Sequence, residues 1–239
     1  MAKQYVCKVC GYNMIGDAPH TCPFCGCNSS NFITAEECSK NFSITEKYVS
    51  NSVMQLKSSP KLGMEHAAYA IKTQKGQVWI DCPSCFEALA VKPVAICFTH
   101  HHFMGACNLY QKDSGCEIYI HITELDFSIA KQFIPFVTRQ VRGDFWAYCE
   151  IDALHIAGHT PGYTAYFFKD ICFACDITLL SEDEPDALNT YASPKEEVIP
   201  AVKQLIKECD KRKIKIICCY NDIYPYPEWK SRVQKLLKN

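Results

Sequence analysis

Near the amino terminus, YVCKVCGYNMIGDAPHTCPFCG places two Cys-x-x-Cys pairs close together, Cys7 with Cys10 and Cys22 with Cys25. Each pair is followed by a glycine, Gly11 or Gly26, which admits the tight turn that aims backbone amides at thiolate sulfurs. Four thiolates on two such turns make a tetrahedral sulfur cage suited to zinc or to a single iron. A second stretch, THHHFMGACN from Thr99 to Asn108, carries three histidines after the apolar run VAICF. His100 and His102 alternate as ligands on one side of an extended segment do, and His101 turns the other way as a packing or surface residue. Met104 and Gly105 stand where a second metal would want a carboxylate and another imidazole. The loop therefore reads either as a damaged two-metal site or as a site built for one metal and other chemistry.

The elements that must position these groups follow from hydrophobic periodicity. NSVMQLK, AAYAIKT, GQVWIDCP, VAICFTH and CEIYIHI read as strands, with KSSPKLG and QKGQ as turns. DFSIAKQFIPFVTRQV has helical apolar spacing, with Pro135 as a kink. SPKEEVIPAVKQLIKECDKRK predicts a helix capped by Ser193, with Pro194 in its first turn and Glu196 placed for a capping box. KIKIICCY is a late strand and PEWKSRVQKLLK a last helix. Strands in two batches, each ending in helices, predict an α+β protein with two sheets and helices packed outside. EECSKNFSITEKYVS is polar, without a periodic apolar stripe, and reads as a connector. The expected domains are thus residues 1–35, a linker over 36–49, and a larger domain over 50–239.

Composition narrows the function. Lys+Arg 25 against Asp+Glu 26 leave a net charge of −1 with no long run of either sign, so neither nucleic acid nor a membrane is an expected partner. The start, MAKQYVCKVC, lacks an apolar core of signal-peptide length, and the expected location is the cytoplasm. The chain has 17 cysteines, but Cys97, Cys172, Cys218 and Cys219 lie in strand-like apolar runs and are expected to be small core residues.

Tyr5, Tyr12, Pro23, Phe24 and Phe32 surround the cysteine pairs as in rubredoxins, and residues 3–35 resemble the rubredoxin module at the end of rubrerythrins. The resemblance implies a one-iron electron carrier whose apolar cover tunes its potential. His20 and Cys27 are read as surface or supporting residues, since four ligands already close the site.

Three further segments join the histidine loop. VWIDCP puts Asp81 at a strand end, HIAGHTPGYTAYFF puts His159 at a glycine-proline turn, and ICFACDITL puts Asp176 at another strand end. With THHHF, this order resembles the metallo-β-lactamase superfamily over residues 45–239. The resemblance implies an αββα sandwich with metal at the strand ends. It makes His100 and His102 the first histidines of the HxHxDH signature, His159 the turn histidine and Asp176 the aspartate. Asp81 matches the strand-end aspartate that supports the imidazoles. Met104 and Gly105 depart from the signature, and no histidine occurs near CCYNDIYP, where the last ligand would fall. A dinuclear pair is therefore not expected. The persulfide dioxygenases of the superfamily resemble what remains: they hold one iron by positions matching His100, His159 and Asp176, with His102 here as a fourth donor.

His121 and His155 are read as structural, and His66 as able to approach the site mouth. Cys107, Cys219, Tyr220 and Asp222 are the remaining candidates to replace missing ligands. A sulfur-ligated iron fused to such a site predicts redox work on a small molecule such as oxygen, nitric oxide or a sulfur species. Flavodiiron proteins, which resemble users of the same sandwich, offer a partial analogy. The cofactors expected are iron in the four-cysteine site and iron or zinc in the His/Asp site, with a redox partner protein as electron source. A homodimer is expected if the two sites are distant within one chain. The alternatives are a mononuclear zinc hydrolase resembling glyoxalase II or lactonases, and a non-catalytic electron carrier with a metal-free sandwich.

Overall fold

The computed structural model describes residues 3–180 and 185–238. The chain forms two compact units, Met1–Gln140 and Val141–Asn239.

In the first unit, β1 (Gln4–Cys7) is the centre of a three-stranded antiparallel sheet with β2 (Asn13–Ile15) and β3 (Phe32–Thr34). The segment expected to be a connector is structured. It forms helix α1 (Ala35–Asn41) and strand β4 (Ser43–Ser50). A capping box starts α1: Thr34 Oγ1 accepts from the Glu37 backbone N–H, while the Glu37 carboxylate accepts from the Thr34 N–H. Strand β4 escapes periodicity analysis because it is a largely exposed edge strand, so tertiary pairing with its neighbour sets its conformation.

Strands β5 (Val53–Ser59), β6 (Ala68–Thr73), β7 (Gly76–Ile80), β8 (Pro93–Cys97), β9 (Glu117–His121) and β10 (Arg139–Val141) complete a seven-stranded sheet of order β10-β9-β8-β7-β6-β5-β4. The β7–β8 and β8–β9 pairs are parallel, so the chain reaches the same end of the sheet after each strand. That end carries Asp81 and the Thr99 loop. Helix α2 (Cys107–Ser114) covers the sheet, burying Cys107 and Tyr110 against Trp79, Ile96, Phe98 and Ile118. The predicted helix over DFSIAKQFIPFVTRQV is broken. Only the short α3 (Ser128–Lys131), a single 3-10 turn at Ile134–Phe136 and strand β10 form, because Pro135 cannot continue the α-helical hydrogen bonding.

The amino-terminal module is knit into this unit. Asn13 donates to the Ser84 carbonyl at 3.0 Å, the side-chain amides of Gln4 and Asn108 pair at 2.8 Å, and the Ile15 N–H donates to Gln132 at 2.7 Å.

The second unit is a six-stranded sheet of order β11-β12-β13-β14-β17-β18, with a two-stranded ribbon β15-β16. These strands are β11 (Phe145–Tyr148), β12 (Ile151–His155), β13 (Thr164–Phe168), β14 (Ile171–Cys175), β15 (Thr178–Leu179), β16 (Ala187–Leu188), β17 (Ile216–Cys219) and β18 (Asp222–Pro225). Strands β13 and β14 are buried at every position, which is why TAYFF and ICFAC read as continuous apolar runs. Helices α4 (Lys195–Arg212) and α5 (Tyr226–Leu236) pack on this sheet. Helix α4 presents Val198, Ala201, Val202, Leu205 and Cys209 at helical spacing, each large apolar side chain contributing about 1.5–3 kcal/mol on burial. Its start differs from expectation. Pro194 takes the cap position in an extended conformation, so Ser193 lies one residue too early and no side-chain cap bond forms. Among the described residues, no helix is long and apolar enough to cross a membrane.

Candidate metal centres

The four knuckle cysteines lie with their sulfurs within 4.8 Å of one another. Both glycines that follow the pairs take positive φ, 88° at Gly11 and 72° at Gly26, and turn the chain back so that their N–H groups donate to the Cys7 and Cys22 carbonyls. A metal with sulfur bonds of about 2.3 Å in a tetrahedron requires sulfur–sulfur edges of about 3.8 Å. The separations are 3.7 Å for Cys10–Cys22 and 3.9 Å for Cys7–Cys25, so these two edges match those of a four-thiolate ion. The Cys7 thiol is held down at about 4 by the hydrogen bond from Cys10, with backbone amides of Cys10 and Val9 adding to the effect. A lowered thiol favours the thiolate, the state a ligand needs. Cys27 stands outside this set with its sulfur 3.3 Å from that of Cys7, and burial together with the neighbouring sulfurs pushes its thiol up to about 12.

In the first unit the histidine loop leaves the end of β8. Thr99 Oγ1 lies 2.9 Å from Asp81 Oδ2 and 2.9 Å from His100 Nδ1, and the Thr99 N–H donates to Asp81 at 2.8 Å. A hydroxyl has one proton. With that proton on the carboxylate, Thr99 accepts from His100 Nδ1–H, which leaves Nε2 with a lone pair for a metal. Asp81 reaches this position through a left-handed backbone, φ 58°, which aspartate tolerates better than most residues. His66 is buried, stacked on His100 at 5.7 Å between ring centroids, with Nδ1 3.9 Å from Asp81. The His100 and His102 rings stand edge to face at 4.6 Å.

His101 turns away, as the alternation predicts. Its backbone N–H and Nδ1 both engage the buried Glu124 carboxylate, and its ring stacks on Phe127 at 3.9 Å. Met104 is buried in the apolar core with Trp79, Cys82 and Phe98. Gly105 has φ 53°, and a Cβ there would meet the Pro83 and Cys82 carbonyl oxygens at 2.4 and 2.5 Å. The loop's second half therefore belongs to the packing of the unit.

In the second unit, His159 is fully buried in the turn between β12 and β13. Its Nδ1 faces the Asn189 carbonyl at 3.3 Å and its Nε2 lies 3.5 Å from Asp176 Oδ1. A carbonyl only accepts, so Nδ1 carries the proton and Nε2 presents a lone pair toward a carboxylate oxygen. Two acceptors facing each other at this distance call for a proton or a cation between them, and an imidazole–carboxylate pair is a donor set that iron and zinc both accept.

The other candidates are placed away from ligand roles. His121 Nδ1 pairs with Thr123 Oγ1 at 2.8 Å, and His155 Nε2 donates to the Pro161 carbonyl at 2.7 Å. Cys107 lies in the core, where burial and the neighbouring Cys116 raise its thiol. Cys219 donates to the Thr178 carbonyl at 3.1 Å and its thiol is pushed up to about 11, chiefly by burial. Asp222 is exposed at the start of β18, and Tyr220 sits in the tight turn before it with φ 52°. Thr99, Glu124 and the Asn189 carbonyl act on the histidines without having been singled out by sequence. Only Thr99 left a signal, as the hydroxyl residue directly before the histidines.

Residues 5–33 match the family model of the rubrerythrin rubredoxin-like domain. No match is found among curated proteins. Among solved structures, the chain is similar to the metallo-β-lactamase from Pontibacter korlensis, with TM-score 0.66, 14% identity, and 82% of this chain and 100% of that chain covered. It is similar to the metallo-β-lactamase FIM-1 from Pseudomonas aeruginosa in its mono-zinc form, with TM-score 0.67, 12% identity, and 84% and 97% covered. TTHA1623 in a di-iron-bound form gives TM-score 0.53 and 21% identity, with 68% and 90% covered. The chain thus joins a rubredoxin-like four-cysteine domain to a protein of metallo-β-lactamase fold.

Proposed function

We propose that this protein is a redox metalloprotein. In this reading the Cys7, Cys10, Cys22 and Cys25 cage holds one iron and passes electrons to a single metal ion, iron in the leading assignment, held by His100, His102, His159 and Asp176. Bound there, such an ion would supply redox chemistry toward a small oxidant such as oxygen, nitric oxide or a sulfur species. Asp81, through Thr99, keeps the His100 lone pair on the metal side, and the Asn189 carbonyl does the same for His159.

The observation that carries the one-metal reading is the fate of the loop's second half. Met104 lies in the core and Gly105 is pressed against the backbone of Cys82 and Pro83. A second ion would lack its donors, so the bridging hydroxide of two-metal hydrolysis is not part of the proposal. The four-thiolate cage then tips the chemistry toward electron transfer, and the di-iron-bound structure of the same fold shows that the fold accepts iron, although with two ions. The reading keeps the protein in the cytoplasm, with a redox protein as donor to the cage and a small molecule as substrate, and without nucleic acid or membrane. A mononuclear zinc hydrolase is the second reading, favoured by the mono-zinc fold relative.

Anaerobic purification with metal quantification and a visible spectrum tests the proposal. Two irons per chain are expected. Cys10→Ser removes the ferric thiolate absorption and one iron, and His159→Ala removes the other iron while leaving the absorption in place. Zinc alone at both sites sinks the redox reading.

A further inference from the structure

The cysteine cage and the histidine loop meet inside the first unit. Phe103, directly after His102, is buried among Cys7, Cys10, Tyr12 and Cys22. Phe24, covalently joined to Cys25, sets its ring edge against the His102 imidazole with centroids 5.7 Å apart, and tilts against Phe103 at 4.7 Å. One non-bonded step therefore separates the second knuckle from His102. Hydrogen bonds away from both sets of metal donors hold this separation: Tyr12 Oη donates to the Ile129 carbonyl at 3.2 Å and accepts from Gln132 at 2.6 Å, and Asn13 is tied to Ser84.

We infer that electrons pass from the cage to His102 within one chain, across the Phe24–His102 contact. The inference rests on the redox reading above and adds the route. Electron tunnelling falls steeply with distance, and a single van der Waals gap between an aromatic ring and an imidazole is shorter than a path between separate molecules. With iron bound at both sites the step would balance simply: a ferrous cage would give up one electron and become ferric, and a ferric ion held beyond His102 would take that electron and become ferrous, with no bond made and no proton moved. The head-to-tail dimer that distant sites would demand is then unnecessary. Phe24 is neither ligand nor proton carrier; its ring supplies the contact to the His102 imidazole.

Flash photoreduction of the fully oxidised, iron-loaded full-length protein tests this. A dye delivers less than one electron per chain, and the ferric thiolate absorption is followed as the electron redistributes. A relaxation whose rate is independent of protein concentration is expected. Phe24→Ala slows it several-fold, while Phe24→Leu, which keeps most of the packing, slows it less, and both variants retain the visible spectrum and the iron content. A rate proportional to protein concentration overturns the intrachain route while leaving the redox reading intact. An unchanged rate in Phe24→Ala overturns the role of the contact. Absence of iron from the His/Asp site, read beforehand by metal analysis, overturns the redox reading itself and with it this inference.

Discussion

Gly105→Ala tests the packing argument behind the one-metal proposal. The native residue has φ 53°, a conformation that costs a side-chain-bearing residue about 1–2 kcal/mol. Its new Cβ would approach the Pro83 oxygen to 2.4 Å and the Cys82 oxygen to 2.5 Å, inside any van der Waals limit and against backbone that cannot swing aside. Overpacking of this kind costs about 1–3 kcal/mol. The sum, about 2–5 kcal/mol, lowers the melting temperature of a chain this size by roughly 4–20 °C. Thermal unfolding followed by circular dichroism on metal-loaded protein measures it, with the cage absorption as a check that the first unit is loaded. Met104→Asp with Gly105→His, the pair of changes that would complete an HxHxDH pattern in the loop, is expected to be at least as destabilised, since it also puts a carboxylate into the core around Trp79 and Phe98. A Gly105→Ala melting point within about 2 °C of the parent, or a double variant that melts normally and takes up a second ion, would refute the argument that packing closed the second position.

Two further outcomes bear on the groups around the sites. Thr99→Val breaks the Asp81–Thr99–His100 chain, and affinity at the His/Asp site should fall about 10–100-fold while the cage spectrum stays unchanged; equal metal retention in a chelator competition would show that Thr99 does not orient His100. Glu65 is fully buried, accepting from the Ser84 N–H, and burial raises its carboxyl above the ordinary 4.5. A raised folded-state value means that its neutral form suits the fold: its contribution is fully present below 4.5 and is lost as pH rises through the raised value. The stability difference between Glu65→Gln and the parent should therefore move in favour of the variant as pH rises from 4.5, and a difference that stays constant over that range would show the carboxyl to be ionised throughout.

Much of the molecule was legible because its information is local. The glycine after each cysteine pair reports a turn, and the alternation of VAICF into THHH reports which imidazoles share a side. The edge strand β4 was not legible, since an exposed strand carries no apolar alternation and exists because β5 offers it a partner. The long helix expected around Pro135 failed for a related reason: Ala130 and Phe133 are buried, but at the spacing of short turns followed by a strand, a pattern that helical periodicity imitates. Ser193 was a sound cap by residue type and wrong by one position, because the extended proline after it took that place.

The sequence by itself determined which candidate donors the chain offers, four thiolates in paired knuckles, and imidazoles and carboxylates at strand ends, since residue type and spacing are written in it. Only the tertiary structure decided what each donor faces. That Met104 turns into the core, that Gly105 lies against the Cys82–Pro83 backbone, and that Phe24 of one motif touches His102 of another are contacts between residues far apart in the chain. Such contacts depend on how strands and loops pack, and no local pattern encodes them.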